Sequence, residues 1–306
     1  MNEENIERAW EEIDKGKIKD GINILNDVLL QSPNDWKVYY NLGQAYKLDG
    51  NIDKAIELLD KAKILDNEGY LCNYFGLTEV YMMKSDFENA IVSLRNVFSS
   101  SEPKTINILQ IIHSIGLDFF KNNQVNFAKE VFEKANEILY SVFFTELRMA
   151  RDYPDNYILR TVGNESELDW DNINIKYDVF LKTNFLCCQI KNNLGVCRAE
   201  LGDLKGAIEA FNESIKFTPS GLDYQAPIIA LKEIEDMNNE ESEIFKRLGY
   251  SENEIKESGK IIFTENGRKV IMNNRSNEQR TTKPQAGNST LPKTGWTWWQ
   301  KLFGSE

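Results

Sequence analysis

A single histidine, His113, stands in the apolar run INILQIIHSIGLDFF. An imidazole works as an acid or base when a serine, cysteine or carboxylate is held within reach, and no such partner accompanies it at motif spacing. His113 therefore reads as a packed or groove-lining side chain. The four cysteines, Cys72, Cys187, Cys188 and Cys197, lack the spacing of a zinc site, and the adjacent Cys187 and Cys188 cannot share one face of a helix. Gly202-Asp203-Leu204-Lys205-Gly206 does not have the glycine, lysine and hydroxyl order of a phosphate-cradling loop. The carboxylate pairs Glu11-Glu12 and Glu240-Glu241 fall on polar faces, where solvation accounts for them. The expectation is a chain that is not an enzyme, with no catalytic residue, no metal and no cofactor.

The bulk chemistry narrows the partners. A net charge of −12 and a pI near 4.9 oppose nucleic acid, whose phosphates such a surface repels, and no cluster of Lys and Arg interleaved with aromatics offsets this. The start, MNEENIERAWEEIDKGK, is acidic and amphipathic, without the basic and apolar regions of an export signal. No window holds 18 uninterrupted apolar residues. These features predict a cytoplasmic protein with reduced thiols, placed at most peripherally on a membrane. Leu291-Pro292-Lys293-Thr294-Gly295 matches the five residues that sortases cleave, but the eleven residues after it are too few for the membrane span such signals need. That match is read as coincidence.

Residues 36–67, WKVYYNLGQAYKLDGNIDKAIELLDKAKILDN, give the architecture. Apolar residues recur at helical spacing, stop at Asp49-Gly50-Asn51, then resume: two amphipathic helices joined by a tight turn. Gly43, Ala55 and Ala62 are small where two backbones must approach, and Tyr46 and Leu59 are large where the space between must be filled. The pattern returns along the chain. Small residues recur at Gly21, Ala55, Ala90, Ala128 and Ala207, followed four residues later by Leu25, Leu59, Leu94, Phe132 and Phe211. The turn returns at Lys15-Gly16-Lys17 and Leu201-Gly202-Asp203, the Leu42-Gly43 pair at Ile115-Gly116 and Leu194-Gly195, and the closing proline at Pro33 and Pro219. These marks resemble the tetratricopeptide repeat, a helix–turn–helix of about 34 residues. Five repeats follow, at about 2–35, 36–69, 71–104, 109–142 and 188–221. The first is degenerate, with Arg8-Ala9 for the Leu-Gly pair, as a terminal repeat that faces water is expected to be.

The resemblance implies an all-α, right-handed helical solenoid whose first helices line a concave groove. Four repeats occupy residues 1–142, an insertion 143–187, and the fifth repeat with a capping helix 188–238. Within the insertion, the sequence predicts a second helix extended through about Met149, an irregular stretch from Asp152 to Asn174, and a long helix from about Tyr177. Pro154, Gly163, Tyr153, Tyr157 and Trp170 make the irregular stretch either a lid over the groove or an excursion on the outer face. Residues 239–273 read as short helices and a β-hairpin about Asn266-Gly267, with a capping box at Ser251–Glu254. Residues 274–306 read as a flexible linker ending in a Trp-rich motif.

The family resemblance also assigns the groove. It implies partner-binding side chains at Tyr40, Asn41 and Gln44 of the second repeat and at Phe75, Gly76 and Glu79 of the third. In the fourth they are His113, Ser114 and Leu117, and in the fifth Asn192, Asn193 and Val196. Apart from Lys37 the cations needed to clamp an acidic chaperone tail are missing, and the surface is one of amides and aromatics, suited to an extended peptide or an amphipathic helix. In the tail, Trp296, Trp299 and Phe303 would share a helix face, with Leu302 and Trp298 nearby, and 274–306 carries five cations against two carboxylates. Three readings of that tail remain open: a motif read by another protein, a segment at a membrane surface, or a segment that returns to the groove. The predicted function is a noncovalent protein-binding adaptor, with a peripheral membrane scaffold as the alternative.

Overall fold

The computed structural model describes residues 2–152, 173–247, 261–264 and 267–270, with side chains over 3–148 and 177–237. The irregular stretch with Tyr153, Tyr157 and Trp170, the capping box at 251–254, the turn residue Asn266 and the aromatic tail lie outside the described residues.

Residues Met1–Pro103 form one unit of three helix pairs. These are α1 (Asn2–Asp14) with α2 (Ile18–Gln31), α3 (Trp36–Leu48) with α4 (Ile52–Leu65), and α5 (Leu71–Met83) with α6 (Phe87–Ser99). Short polar side chains start the helices: Asp35, Asn51 and Asp86 accept hydrogen bonds from the backbone N–H of Lys37, Lys54 and Asn89, satisfying donors that have no partner inside the helix. The apolar faces of α1–α3 close over Ala9, Ile13, Leu25, Val28, Val38 and Leu42, and Ala55, Leu59, Leu77 and Val80 continue the core between α4 and α5. No pair could bury its apolar face alone, so stacking is what stabilises each.

From Lys104 onward a second unit holds α7 (Ile106–Lys121), α8 (Val125–Glu137), α9 (Leu139–Asp152), α10 (Ile173–Thr183), α11 (Phe185–Glu200), α12 (Leu204–Lys216) and α13 (Ala226–Arg247). Two breaks differ from the sequence expectation. The second helix of the fourth repeat stops at Glu137, with Ile138 in a turn, and α9 begins anew at Leu139. The long helix expected from Tyr177 is broken at Asn184, whose side chain caps α11 by accepting from Leu186 N–H. The fifth repeat, α11 with α12, packs on α8 through α11. Tyr140 and Phe143 of α9 pack edge-on and tilted against Tyr177 and Phe180 of α10, holding the two ends of the segment between these helices together. Ala230 and Ile234 of α13 bury against Val196, Ala207 and Phe211, covering the last pair. Strands Ile261–Thr264 and Gly267–Val270 pair antiparallel, with Ile261 opposite Val270.

Each pair turns through one left-handed residue five positions before the small residue of its second helix. In order these are Gly16, Gly50, Ser85, Asn123 and Gly202, with φ of 81°, 80°, 61°, 60° and 81°. The following N–H bonds back to the carbonyl five residues upstream, as in Asn51 to Tyr46 and Asp203 to Arg198, closing the first helix. In the second, fourth and fifth pairs the two helices then meet at a glycine of the first helix. A Cβ on Gly43 would lie 2.7 Å from Leu59 Cγ, on Gly116 2.8 Å from the Phe132 ring, and on Gly195 2.6 Å from the Phe211 ring. Gly195→Ala is therefore expected to lower the unfolding free energy of the second unit by about 1–3 kcal/mol through overpacking. Phe211→Leu in the same molecule should return part of that loss in a urea titration. Losses that simply add would show that the two backbones do not depend on each other there.

Candidate binding surface on the first helices

In the first unit, α1, α3 and α5 border a cleft of about 330 Å3. Glu3, Ile6 and Glu7 of α1, Trp36, Lys37, Tyr40 and Asn41 of α3, and Cys72 of α5 line it. The Trp36 ring stacks on Tyr70 at 5.1 Å, fixing one wall. Trp10 donates its indole N–H to Asn41 Oδ1 at 2.6 Å, and the Asn41 amide donates to Lys37 O, so the amide is oriented before any ligand arrives. Burial pushes the Tyr40 hydroxyl up to about 12, with Cys72 and Glu79 adding to it, and pushes the Cys72 thiol up to about 11. Both stay protonated at neutral pH, so the charge of the lining comes from Glu3, Glu7 and Lys37. Lys37 lies 3.5 Å from Glu3.

Not every expected groove side chain is free. Gln44 is buried, and its amide and the Tyr40 ring pack where a Cβ on Gly76 would stand, so α3 and α5 close together at that point. Phe75 is buried, whereas Glu79 is half-exposed and paired to Lys47 at 2.6 Å.

In the second unit, His113 of α7 lies 2.9 Å from the Asn193 amide of α11, and its ring packs on Phe132. Ser114 is exposed and Leu117 half-buried. Val196 and Asn192 are enclosed in the packing. Asn192 donates to Asn193 Oδ1, and its own Oδ1 is buried without a partner among the described residues. Beside them the buried Lys191 donates to Asn136 Oδ1 at 2.9 Å and Glu213 Oε2 at 2.8 Å, joining α8, α11 and α12. Arg198 bonds Gly206 O and Glu133, again between α11 and its neighbours. The fifth repeat thus directs much of its polar chemistry inward, as interhelical bonding rather than open surface. Burial raises the thiols of Cys187 and Cys188, to about 12 and about 11, and that of Cys197 further. No group of His, Cys, Asp and Glu among the described residues could hold a metal ion, and no described helix is long and apolar enough to cross a membrane.

Comparison with known proteins agrees with the helix pairs. A tetratricopeptide repeat family model matches residues 12–70, and a second model of that family matches residues 189–220. The chain carries tetratricopeptide repeats. The BBSome complex member BBS4 of Bos taurus is 24% identical over 251 residues, covering 73% of this chain and 47% of that protein, so the chain spans about half the length of this relative. Among solved structures, a MamA protein aligns at 17% identity over 71% of this chain and 91% of its own, with a TM-score of 0.43. MamA from Desulfovibrio magneticus RS-1 aligns at 14% over 71% and 94%, at 0.41. Nearly identical TPR-like repeats of a Podosopora anserina putative kinesin light chain align at 14% over 70% and 93%, at 0.43.

With the repeat register known, the residues missed in the sequence become readable. Trp10 holds in the degenerate first repeat the place of Gln44 in the second, and Glu3, Ile6 and Glu7 lie on the same helix. The aromatic at that place was the available signal. The His113 ring should titrate far below an ordinary histidine, at about 4, because burial opposes the imidazolium. An unfolded chain takes up this proton near pH 6.5, so the ring's contribution is full above that pH, fades as pH falls toward 4, and changes no further below. Because the chain has one histidine, a single imidazole resonance in a proton NMR titration reports it. A midpoint near 6.5 would place the ring in water.

Proposed function

We propose that this chain is a noncovalent, non-enzymatic protein-binding adaptor that holds a peptide or amphipathic helix of a partner along its first-helix face. The observation that carries the reading is the cleft of about 330 Å3 between α1, α3 and α5, with a prearranged Asn41 amide, aromatic walls and a carboxylate rim. Concave, largely apolar sites with a few oriented polar groups are where short ligands bind. In the second unit, taken by itself, the half-buried His113 is held by the buried Asn193 amide; Glu79 in the first unit and Leu117 in the second offer partly open side chains. The relative BBS4 is described as a member of a complex, which agrees with a role in assembly.

Trp296, Trp298, Trp299, Leu302 and Phe303 are proposed as a docking motif carried on the polar linker that precedes them. Their aromatic character and the excess of cations in 274–306 also favour the second reading, a scaffold whose tail rests on a bilayer surface. One short segment with so few cations would hold a membrane only weakly without a second signal.

A peptide-display library panned on the full chain tests the groove reading. Peptides selected this way should lose about tenfold or more in affinity for a Trp36→Ala variant, equal to about 1.4 kcal/mol. They should bind a Leu30→Ser variant unchanged, since Leu30 is 82% exposed on α2 and remote from the lining residues. Equal binding to both variants would remove the cleft from the function.

A further inference from the structure

The lining of the first-unit cleft specifies its occupant more closely than "a peptide". Ile6, Trp36 and Tyr40 offer apolar and aromatic surface, and the neutral Cys72 thiol adds no charge. Two carboxylates, Glu3 and Glu7, stand against one ammonium, Lys37, which is already beside Glu3. Glu7 has no ion pair among the described residues. The surroundings reinforce this sign: residues 1–103 contain 19 acidic and 11 basic side chains, which is −8 of the chain's −12. Such a site selects a large aromatic ring with a cation close to it, the ring against Trp36 and Tyr40 and the ammonium toward Glu7.

This chain itself contains a segment of that chemistry. Residues 293–303, KTGWTWWQKLF, place Lys293 and Lys301 on either side of three tryptophans, within a tail that has five cations and two carboxylates. We propose that residues 293–303 are a ligand of the cleft formed by Glu3, Ile6, Glu7, Trp36, Lys37, Tyr40, Asn41 and Cys72. A volume of about 330 Å3 sits at the small end of ligand pockets. It takes one indole and leaves the neighbouring residues on the rim. The proposal rests on reading this cleft as a peptide site. It adds that the cleft and the docking motif recognise each other, so an outside partner must compete with the tail.

Cys72 provides the readout. It is the one half-buried thiol and lines the cleft, whereas Cys187, Cys188 and Cys197 are fully enclosed. The full chain and a W296A/W298A/W299A variant are alkylated with iodoacetamide at alkaline pH, and modification at Cys72 is followed by peptide mass spectrometry. The substitutions lie far in sequence from the helical pairs, so folding is not at issue. The variant is expected to react about tenfold faster, the factor for a cleft occupied roughly nine-tenths of the time. A synthetic peptide of residues 293–303 should slow it again, and Glu7→Lys in the full chain should speed it. Equal rates in the full chain and the variant, with no protection by the peptide, would overturn the proposal. If library-selected peptides protect Cys72 while the 293–303 peptide does not, the tail is excluded and the peptide site stands. If the variant loses binding to anionic vesicles at an unchanged Cys72 rate, the tail belongs to a membrane and the proposal again fails.

Discussion

The close approach of two helices at a glycine is the constraint on which the rest depends. At Gly43, Gly116 and Gly195 the space a methyl group would take is filled by Leu59, Phe132 and Phe211 of the second helix of the pair. That contact fixes how deeply the two helices interlock and therefore where the next pair can stack. The left-handed residue five positions before the small residue of the second helix sets the entry of that helix, and the cap that follows fixes its first turn. Dispersion over such a fitted contact is weak per atom and large in sum, and a shift of one side chain propagates through a stack of this kind.

Stacking and recognition compete for the same positions. Side chains on the first helices either reach across to the next first helix or face the ligand. Trp10 to Asn41 and His113 to Asn193 are bridges of the first kind, made by residues that also border the surface. In the fifth repeat the balance goes to packing: Asn192 is enclosed, and Lys191 and Arg198 are committed to bonds with Asn136, Glu213, Glu133 and Gly206. In the first unit the balance leaves a cleft. A buried ammonium with two oxygen partners and an aromatic face is well satisfied and contributes orientation as much as stability.

The repeat register was legible because it is written in residue size, and size is what the helix contact tests. Gly43 with Leu59 and Gly195 with Phe211 could be paired from spacing alone. The turns were only partly legible. Gly16, Gly50 and Gly202 announce a left-handed backbone, whereas Ser85 and Asn123 adopt it under tertiary constraint. Asn123 is of a type that tolerates that region, and Ser85 gives no such hint. The breaks at Ile138 and Asn184 escaped because apolar periodicity continues through both, and only the direction of the chain changes. For the groove, the register assigned Tyr40, Asn41, His113, Asn192 and Asn193 to equivalent positions on the first helices, but register says nothing of depth. That is why Asn192, one residue from the half-open bridge, is fully enclosed.

The direct packing of α11 on α8 has a kinetic side. Within each unit the other neighbouring helix pairs are joined by a turn or short link, so their contacts form between residues close in sequence. The α8–α11 contact must instead wait until a long intervening segment has closed on itself, a penalty that grows with the logarithm of loop length. The aromatic cluster of Tyr140, Phe143, Tyr177 and Phe180 ties the ends of that segment together and shortens the effective loop. A ladder of otherwise local contacts thus contains one step whose rate is set by topology, and that cluster is the chain's means of hastening it.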